Sequence, residues 1–179
     1  MKSLIDKIKQ KEPVQKERKV FLGGTCAEST WRDELIPLLE IPYFNPVVED
    51  WTPECQEEEY RQKEICEFQT YVITSAMQGC FSIAEAVDGS NKNPEGTIFC
   101  ILDLENFDKG QQKSLKACEE LIRNNGAHVA NSLVDIANIL NNSFILLINS
   151  SFVLGKYLYL FSESIGLSSF FLIIYSVMN

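Results

Sequence analysis

The chain has 179 residues, a formal net charge of −9 at pH 7 and an isoelectric point near 4.7. A chain of this length can enclose a hydrophobic core without disulfides or a structural metal. The acidic balance argues against a nucleic-acid surface, because binding to phosphates depends on clustered Lys and Arg. We therefore expect one domain of ordinary size that binds a small molecule.

Positive charge is concentrated at the start of the chain. Residues 1–18 predict a basic, solvated leader helix that ends before Pro13, and the alternative is an arm that binds a membrane surface or a partner. No apolar run follows, so a secretory signal peptide is not expected. The basic residues up to position 19 are Lys2, Lys7, Lys9, Lys11, Lys16, Arg18 and Lys19.

The cysteines do not form a metal-binding pattern. No C-x-x-C pair occurs and the single histidine is His128, whereas a structural zinc site needs about four clustered ligands. No metal and no cofactor is predicted, and a reducing, cytoplasmic compartment is favoured. The six cysteines are Cys26, Cys55, Cys66, Cys80, Cys100 and Cys118.

Strands and helices are predicted to alternate along the chain, from hydrophobic periodicity and from Gly, Pro and capping residues. The continuous apolar run TIFCIL at 97–102 is typical of a strand buried on both faces of a parallel sheet. The predicted elements are a strand at 19–22, a helix at 30–39, a strand at 43–44, a helix at 52–66, a strand at 68–74, a helix at 82–87, a strand at 97–102, a helix at 109–124, a strand around Val129 and a helix capped by Ser132 and Asp135.

Individual residues predict where the first helices begin and end. Thr30 lies three residues before Asp33, which is the spacing of a capping box. Thr52 followed by Pro53 predicts a cap and a first helical position. Pro37 lies in the last turn of the 30–39 helix and weakens it.

Five strands alternating with helices predict an α/β fold, a doubly wound five-stranded parallel sheet over residues 19–142. In such sheets a ligand binds beyond the carboxyl ends of the strands, where the strand order reverses. For a flavodoxin-like strand order, this crevice lies between the first and third strands. We therefore expect the ligand at the loops Gly23–Thr30 and Thr74–Glu85.

Glu85 opens the helix that follows the third strand, so its carboxylate is predicted to face the crevice. One interpretation is catalysis; the other is helix capping, because Ser82 precedes Glu85 at capping-box spacing. Gly23, Gly24 and Thr25 can offer backbone N–H groups to sugar or phosphate oxygens, although a plain tight turn explains them equally well.

Polar and aromatic side chains follow the second strand. Asn45, Asp50 and Trp51 can hydrogen-bond to and stack on a flat heteroaromatic ring. The alternative makes Asp50 a turn residue and Trp51 part of a hydrophobic staple. The acidic residues of the next helix, including Glu59, are normally solvated, although one of them can point into the crevice as an acid or base.

Two strings, KVFLGGTCAESTWRDELIPLLEIPYFNPVVEDWTPEC and CEFQTYVITSAMQGCFSIAEAV, resemble the nucleoside 2-deoxyribosyltransferase-like family, and the likeness covers about residues 19–140. The resemblance implies a flavodoxin-like fold and cleavage of the N-glycosidic bond of nucleosides, with transfer of the sugar to another base or to water. It implies Glu85, within GCFSIAE, as the nucleophile of a mechanism that parallels a retaining glycosidase. It also implies a homo-oligomer.

The chain departs from the family pattern at three positions. Gly79 stands where well-studied members have an Asp, Glu59 falls near the place of another Asp, and Phe21 replaces an aromatic residue whose hydroxyl orients the nucleophile. Asp50 is therefore the first candidate for the acid that assists departure of the base, and Glu59 is the second. Gly79 and the neighbouring Ser82 are predicted to contact the substrate.

Two alternatives keep the same crevice. A nucleoside 5′-monophosphate N-glycosidase needs a phosphate pocket, for which Gly23, Gly24, Thr25 and Arg32 are the candidates. A non-catalytic nucleotide-binding module needs only the crevice.

Residues 143–179 form an apolar C-terminal extension. Between Phe144 and Met178 the only charged residues are Lys156 and Glu163. Charge depletion slightly favours a membrane anchor or hairpin, although Asn149 and neighbouring polar residues interrupt the run. The alternatives are helices packed on the domain or on a partner, and an unselected extension of the reading frame.

Overall fold

A computed structural model describes residues 14–26, 28–50 and 52–143. Its strands are β1 (Glu17–Gly24), β2 (Tyr43–Phe44), β3 (Cys66–Ile73), β4 (Thr97–Ile101) and β5 (His128–Ala130). Its α-helices are α1 (Trp31–Leu35), α2 (Pro53–Ile65), α3 (Phe81–Lys92), α4 (Lys109–Asn124) and α5, which begins at residue 133 and is helical to 143. Short 3-10 turns lie at Ile36–Leu38, Pro94–Gly96 and Leu104–Asn106.

The five strands form one sheet in the order β2-β1-β3-β4-β5, and every neighbouring pair is parallel. The predicted α/β fold and its flavodoxin-like strand order are thereby confirmed. The order reverses between β1 and β3, whose pairing ends with Gly24 opposite Val72. The carboxyl ends of these two strands therefore flank the predicted crevice.

Helices cover both faces of the sheet. On one face, strand residues such as Leu22 and Val72 pack with residues of α1 and α5. On the other face, Tyr71 and Phe99 pack with residues of α3 and α4. Because successive strand residues point to opposite faces, Tyr71 and Val72 belong to different layers.

The two predicted helix starts have different outcomes. At Thr52 the prediction is confirmed, because its Oγ1 accepts the Cys55 N–H at 3.4 Å and Pro53 is the first residue of α2. At Thr30 the predicted capping box is wrong: its side chain caps no N–H, and its hydroxyl donates to Glu34 at 3.1 Å. Proline removes a helical hydrogen bond, and α1 accordingly ends at Leu35, before the 3-10 turn.

Other element boundaries also differ from expectation. β1 begins at Glu17, two residues before the predicted strand, and residues 14–16 are not helical, while the leader helix predicted to end before Pro13 lies outside the described residues. α3 continues past Val87 to Lys92, through Gly89, where a Cβ would lie 3.0 Å from Thr97 Oγ1. The helix after β5 begins as predicted, with the Asp135 N–H donating to Ser132 Oγ at 3.1 Å.

Several predictions concern residues beyond the described part of the chain. The first thirteen residues of the leader, Trp51 and the apolar extension from residue 144 onward lie outside it. Among the described residues, no helix has the length and apolar character needed to cross a membrane.

Candidate active site

Glu85 lies in the second turn of α3 with 16% of its side chain exposed. The capping interpretation of Glu85 is wrong, because α3 begins at Phe81 with Cys80 as its cap and places Glu85 inside the helix. Ser82 does not cap the helix either, since its hydroxyl donates to the Gly24 carbonyl at 3.4 Å. The side chain of Glu85 therefore serves a tertiary contact rather than the end of the helix.

The partner of Glu85 is Lys63 of α2, a residue that sequence reasoning missed. Lys63 Nζ donates to Glu85 Oε1 through a short contact and to Glu59 Oε1 at 2.7 Å. The same nitrogen lies 4.9 Å from the centre of the Phe21 ring. One ammonium group thus joins the predicted nucleophile to the second candidate acid.

Burial and charge act against each other in this cluster. Burial raises the pKa of Glu85 above its ordinary value, the hydrogen bond and charge of Lys63 oppose that rise, and the charge of Glu59 adds to it. For Lys63, burial lowers the pKa, but the bonds to the two carboxylates outweigh burial and leave the pKa raised. Lys63 therefore stays an ammonium ion beside Glu85.

Two side chains of β3 support the end of α2. The Tyr71 hydroxyl donates to Gln69 Oε1 at 2.9 Å, and Gln69 Nε2 donates to the Lys63 carbonyl at 2.9 Å. Burial raises the pKa of Tyr71 well above its usual value, so its hydroxyl remains a donor. This chain of bonds fixes the backbone from which Lys63 reaches Glu85.

A cavity of about 780 Å³ lies over β3 between α2 and α3, and Lys63 and Glu85 contribute to its lining. Ligand sites for small molecules are commonly about 300–1,000 Å³. The cavity runs along the sheet face toward the carboxyl end of α3, and of the two segments predicted to flank the crevice only the last residue of the second, Glu85, lines it. Its other lining residues include Tyr60, Gln69, Tyr71, Asp88, Lys92 and Asn93.

The residues predicted to form a phosphate pocket pack closely or form hydrogen bonds with the backbone at the ends of β1 and β3. A Cβ on Gly24, whose φ is +124°, would lie 2.1 Å from the Val72 carbonyl oxygen, and the Thr25 N–H donates to that oxygen at 2.9 Å. Arg32 is 4% exposed and donates to the carbonyls of Leu22 and Thr25 at 2.8–3.1 Å. Burial lowers the pKa of Arg32 below its ordinary value.

Gly23, like Gly24, has no room for a side chain. A Cβ there would lie 2.7 Å from two ring carbons of Tyr71, the side chain that supports α2. The absence of a side chain at Gly23 therefore has a packing reason. Phosphate binding at Gly23, Gly24, Thr25 and Arg32 stays a prediction.

The remaining candidates are spread along the loops. Asn45 Oδ1 accepts the Val47 N–H at 3.1 Å in a local turn. Asp50 is exposed, and no contact within the described part of the chain joins it to Glu85. Gly79 is also exposed, and no described atom lies within 4 Å of where its Cβ would be. Glu59 is thus the one candidate acid that the structure brings to Glu85.

Sequence spacing predicts only one of the two ion pairs that Lys63 forms. Glu59 and Lys63 are four residues apart on a helix, a spacing that predicts an ion pair along its surface. Glu85 is 22 residues further along the chain, and no local pattern indicates that pairing. Among residues 14–26, 28–50 and 52–143, no group of three or more His, Cys, Asp or Glu side chains could hold a metal ion.

Comparison with known proteins supplies a family for this arrangement. A family model described as "Nucleoside 2-deoxyribosyltransferase like" matches residues 17–104, which contain β1 to β4, Glu59, Lys63 and Glu85. Comparisons with curated proteins and with solved structures give no match. Residues 17–104 therefore match the nucleoside 2-deoxyribosyltransferase-like family, whose name indicates glycosyl transfer on nucleosides.

Proposed function

We propose that the protein cleaves the N-glycosidic bond of a (deoxy)ribonucleoside with Glu85 as nucleophile and transfers the sugar to another base or to water. One observation carries this proposal. Lys63 holds Glu85 by Oε1, while Oε2 accepts no hydrogen bond from the described residues, and 16% of the side chain is exposed in the lining of the cavity. A half-buried carboxylate with one anchored oxygen and one open oxygen has the form that covalent catalysis needs.

The reaction proceeds by two displacements at the anomeric carbon. Glu85 Oε2 attacks this carbon, a C–O bond forms, and the C–N bond breaks. Its electron pair goes to the nitrogen of the departing base, which takes a proton from an acid. An acceptor base or water then attacks the same carbon, gives its proton to the conjugate base of that acid, and releases the Glu85 carboxylate.

The acid has two candidates among the described residues. Glu59 is joined to Glu85 through Lys63, and Asp50 lies on the loop after β2, at the carboxyl edge of the sheet. Both are exposed enough to exchange protons with a bound base. Asp50→Asn and Glu59→Gln are each expected to slow release of the base more than transfer to a strong acceptor, if the residue is the acid.

The principal test is Glu85→Gln with a panel of deoxyinosine, adenine and deoxynucleoside monophosphates. We expect the unmodified protein to exchange or release bases and to show a sugar adduct by intact mass, and the variant to do neither. Glu105→Gln, which changes an exposed acid outside the cavity, is the matched control. Unchanged turnover in Glu85→Gln would remove Glu85 from the mechanism.

The same panel separates the two alternatives. Release of a base from monophosphates alone indicates an N-glycosidase of nucleoside 5′-monophosphates, while binding without turnover indicates a nucleotide-binding module. Light scattering of the same sample measures the homo-oligomer that the family resemblance implies.

A second experiment introduces an acid at position 79. The open space around Gly79 accepts a side chain without a clash, and its φ is not positive. We expect Gly79→Asp to raise the rate of base release, because a carboxyl group six residues before Glu85 can protonate the leaving base. Gly79→Asn, which has the same shape and no acid, is the control, and an equal rate in the two variants would contradict this placement.

A further inference from the structure

We propose that Lys63 is the positioning residue for Glu85: it binds one carboxylate oxygen and leaves the other to attack the anomeric carbon. This inference rests on the proposed role of Glu85 and names the residue that orients it. Lys63 acts through Glu85 and is therefore not itself a catalytic residue, since its ammonium is bonded to Glu85 Oε1 and to Glu59 Oε1.

The position of Lys63 is restrained from several directions. Its side chain is 13% exposed, and its ammonium lies between Glu59 and Glu85 above the Phe21 ring. Its carbonyl accepts the hydrogen bond from Gln69. Phe21 has no hydroxyl, so among the described residues Lys63 alone donates to the Glu85 carboxylate. A lysine held in this way keeps one orientation of the carboxylate.

The charges around Glu85 make its ionised form dependent on this one donor. Without Lys63, two carboxylates would share a half-buried site with no opposite charge between them, which favours the protonated form of Glu85. Phe21, which faces the cluster from β1, carries no charge. The titratable groups on the surrounding elements are Lys63, Glu59, Tyr60 and Glu64 of α2, Tyr71 of β3, Asp88 and Lys92 of α3, and Lys16 before β1.

The test replaces Lys63 and follows the Glu85 carboxyl group directly. In Lys63→Met, which keeps the length of the chain and removes the charge, we expect the Glu85 midpoint in a ¹³C NMR titration to move to higher pH. Lys63→Arg is expected to restore the midpoint, and Lys92→Met, which removes an exposed lysine from the same cavity, to leave it unchanged. An unmoved midpoint in Lys63→Met would overturn the proposal.

Glu59→Gln provides a second variant whose effect has the opposite sign. The charge of Glu59 raises the pKa of Glu85, so its removal is expected to move the Glu85 midpoint to lower pH. This variant retains Lys63, and it measures the electrostatic coupling within the cluster even if Lys63→Met does not fold. A midpoint that stays in place, or rises, would show that the three groups are not coupled.

Kinetics distinguish this inference from the proposed function. In Lys63→Met, kcat/KM at about pH 5 is expected to fall about tenfold or more, with the loss in kcat, because an opposite charge beside a carboxylate favours its ionised form. If the unmodified protein turns over no nucleoside, the proposed function fails while the NMR titration still decides the role of Lys63. If turnover depends on Glu85 but its pH profile is the same in Lys63→Met, the inference fails alone.

Discussion

Arg32→Met tests whether the buried arginine supports the end of β1 or serves a ligand. Its guanidinium donates to the Leu22 carbonyl at 2.9 and 3.1 Å and to the Thr25 carbonyl at 2.8 Å. Methionine fills a similar volume and donates nothing. Thr25 keeps a second donor, the Trp31 indole N–H at 2.9 Å, so the main loss falls on Leu22.

The expected magnitude follows from these bonds. Removing a charged donor from a buried acceptor costs about 1–3 kcal/mol, so with Leu22 as the main loss we expect a destabilisation of about 2–3 kcal/mol. This is a large part of the roughly 5–15 kcal/mol by which a domain is stable. With a urea dependence of about 2 kcal/mol per molar, the unfolding midpoint should fall by about 1 to 1.5 M.

The assay is urea unfolding followed by circular dichroism, with Arg61→Met as the control. Arg61 is an exposed arginine of α2 that pairs with Glu58, so its removal should leave the midpoint unchanged within error. An equal midpoint for Arg32→Met and the unmodified protein would refute the structural role. If that variant also lost affinity for nucleoside 5′-monophosphates, Arg32 would be a phosphate ligand instead.

Further predictions concern two glycines and the buried thiols. Gly24→Ala is expected to abolish cooperative thermal unfolding, because its φ is +124° and its Cβ would lie 2.1 Å from the Val72 carbonyl oxygen, whereas Gly79→Ala should melt like the unmodified protein. A normal melt for Gly24→Ala would contradict the strand pairing. Burial raises the pKa of Cys66 to about 11, so at about pH 8 a thiol reagent should label the exposed Cys80 and spare Cys66, as peptide mass mapping can show. Labelling of native Cys66 would refute its burial.

The sequence was sufficient for the order of elements because local signals specify them. Apolar runs such as TIFCIL predict buried strands, and Thr52 with Pro53 predicts the start of α2, which the structure confirms. The same reasoning failed at Thr30, although the residue type is right. A cap needs the side chain to reach an N–H, and here the Thr30 hydroxyl turns to Glu34. The spacing between Thr30 and Asp33 alone does not predict which partner the Thr30 hydroxyl takes.

The candidate site was also predictable only in part from local sequence. Local sequence placed Glu85 near the start of the helix after β3, at the switch point that parallel α/β sheets share. It did not predict Lys63, because the contact joins α2 to α3 over the sheet and depends on how both helices pack there. Arg32 is a similar case: a charged residue in the sequence, it becomes a donor to the backbone once burial requires every polar group to be paired.

The sequence by itself determined the α/β class, the succession of strands and helices, and the place of Glu85 in that succession. Hydrophobic period and capping residues act over a few neighbouring positions, so they are readable in the chain. Only the tertiary structure decided which lysine holds Glu85 and which glycines are required by close backbone approach. Those choices depend on distances between segments that are far apart in sequence and become defined only when the sheet is assembled.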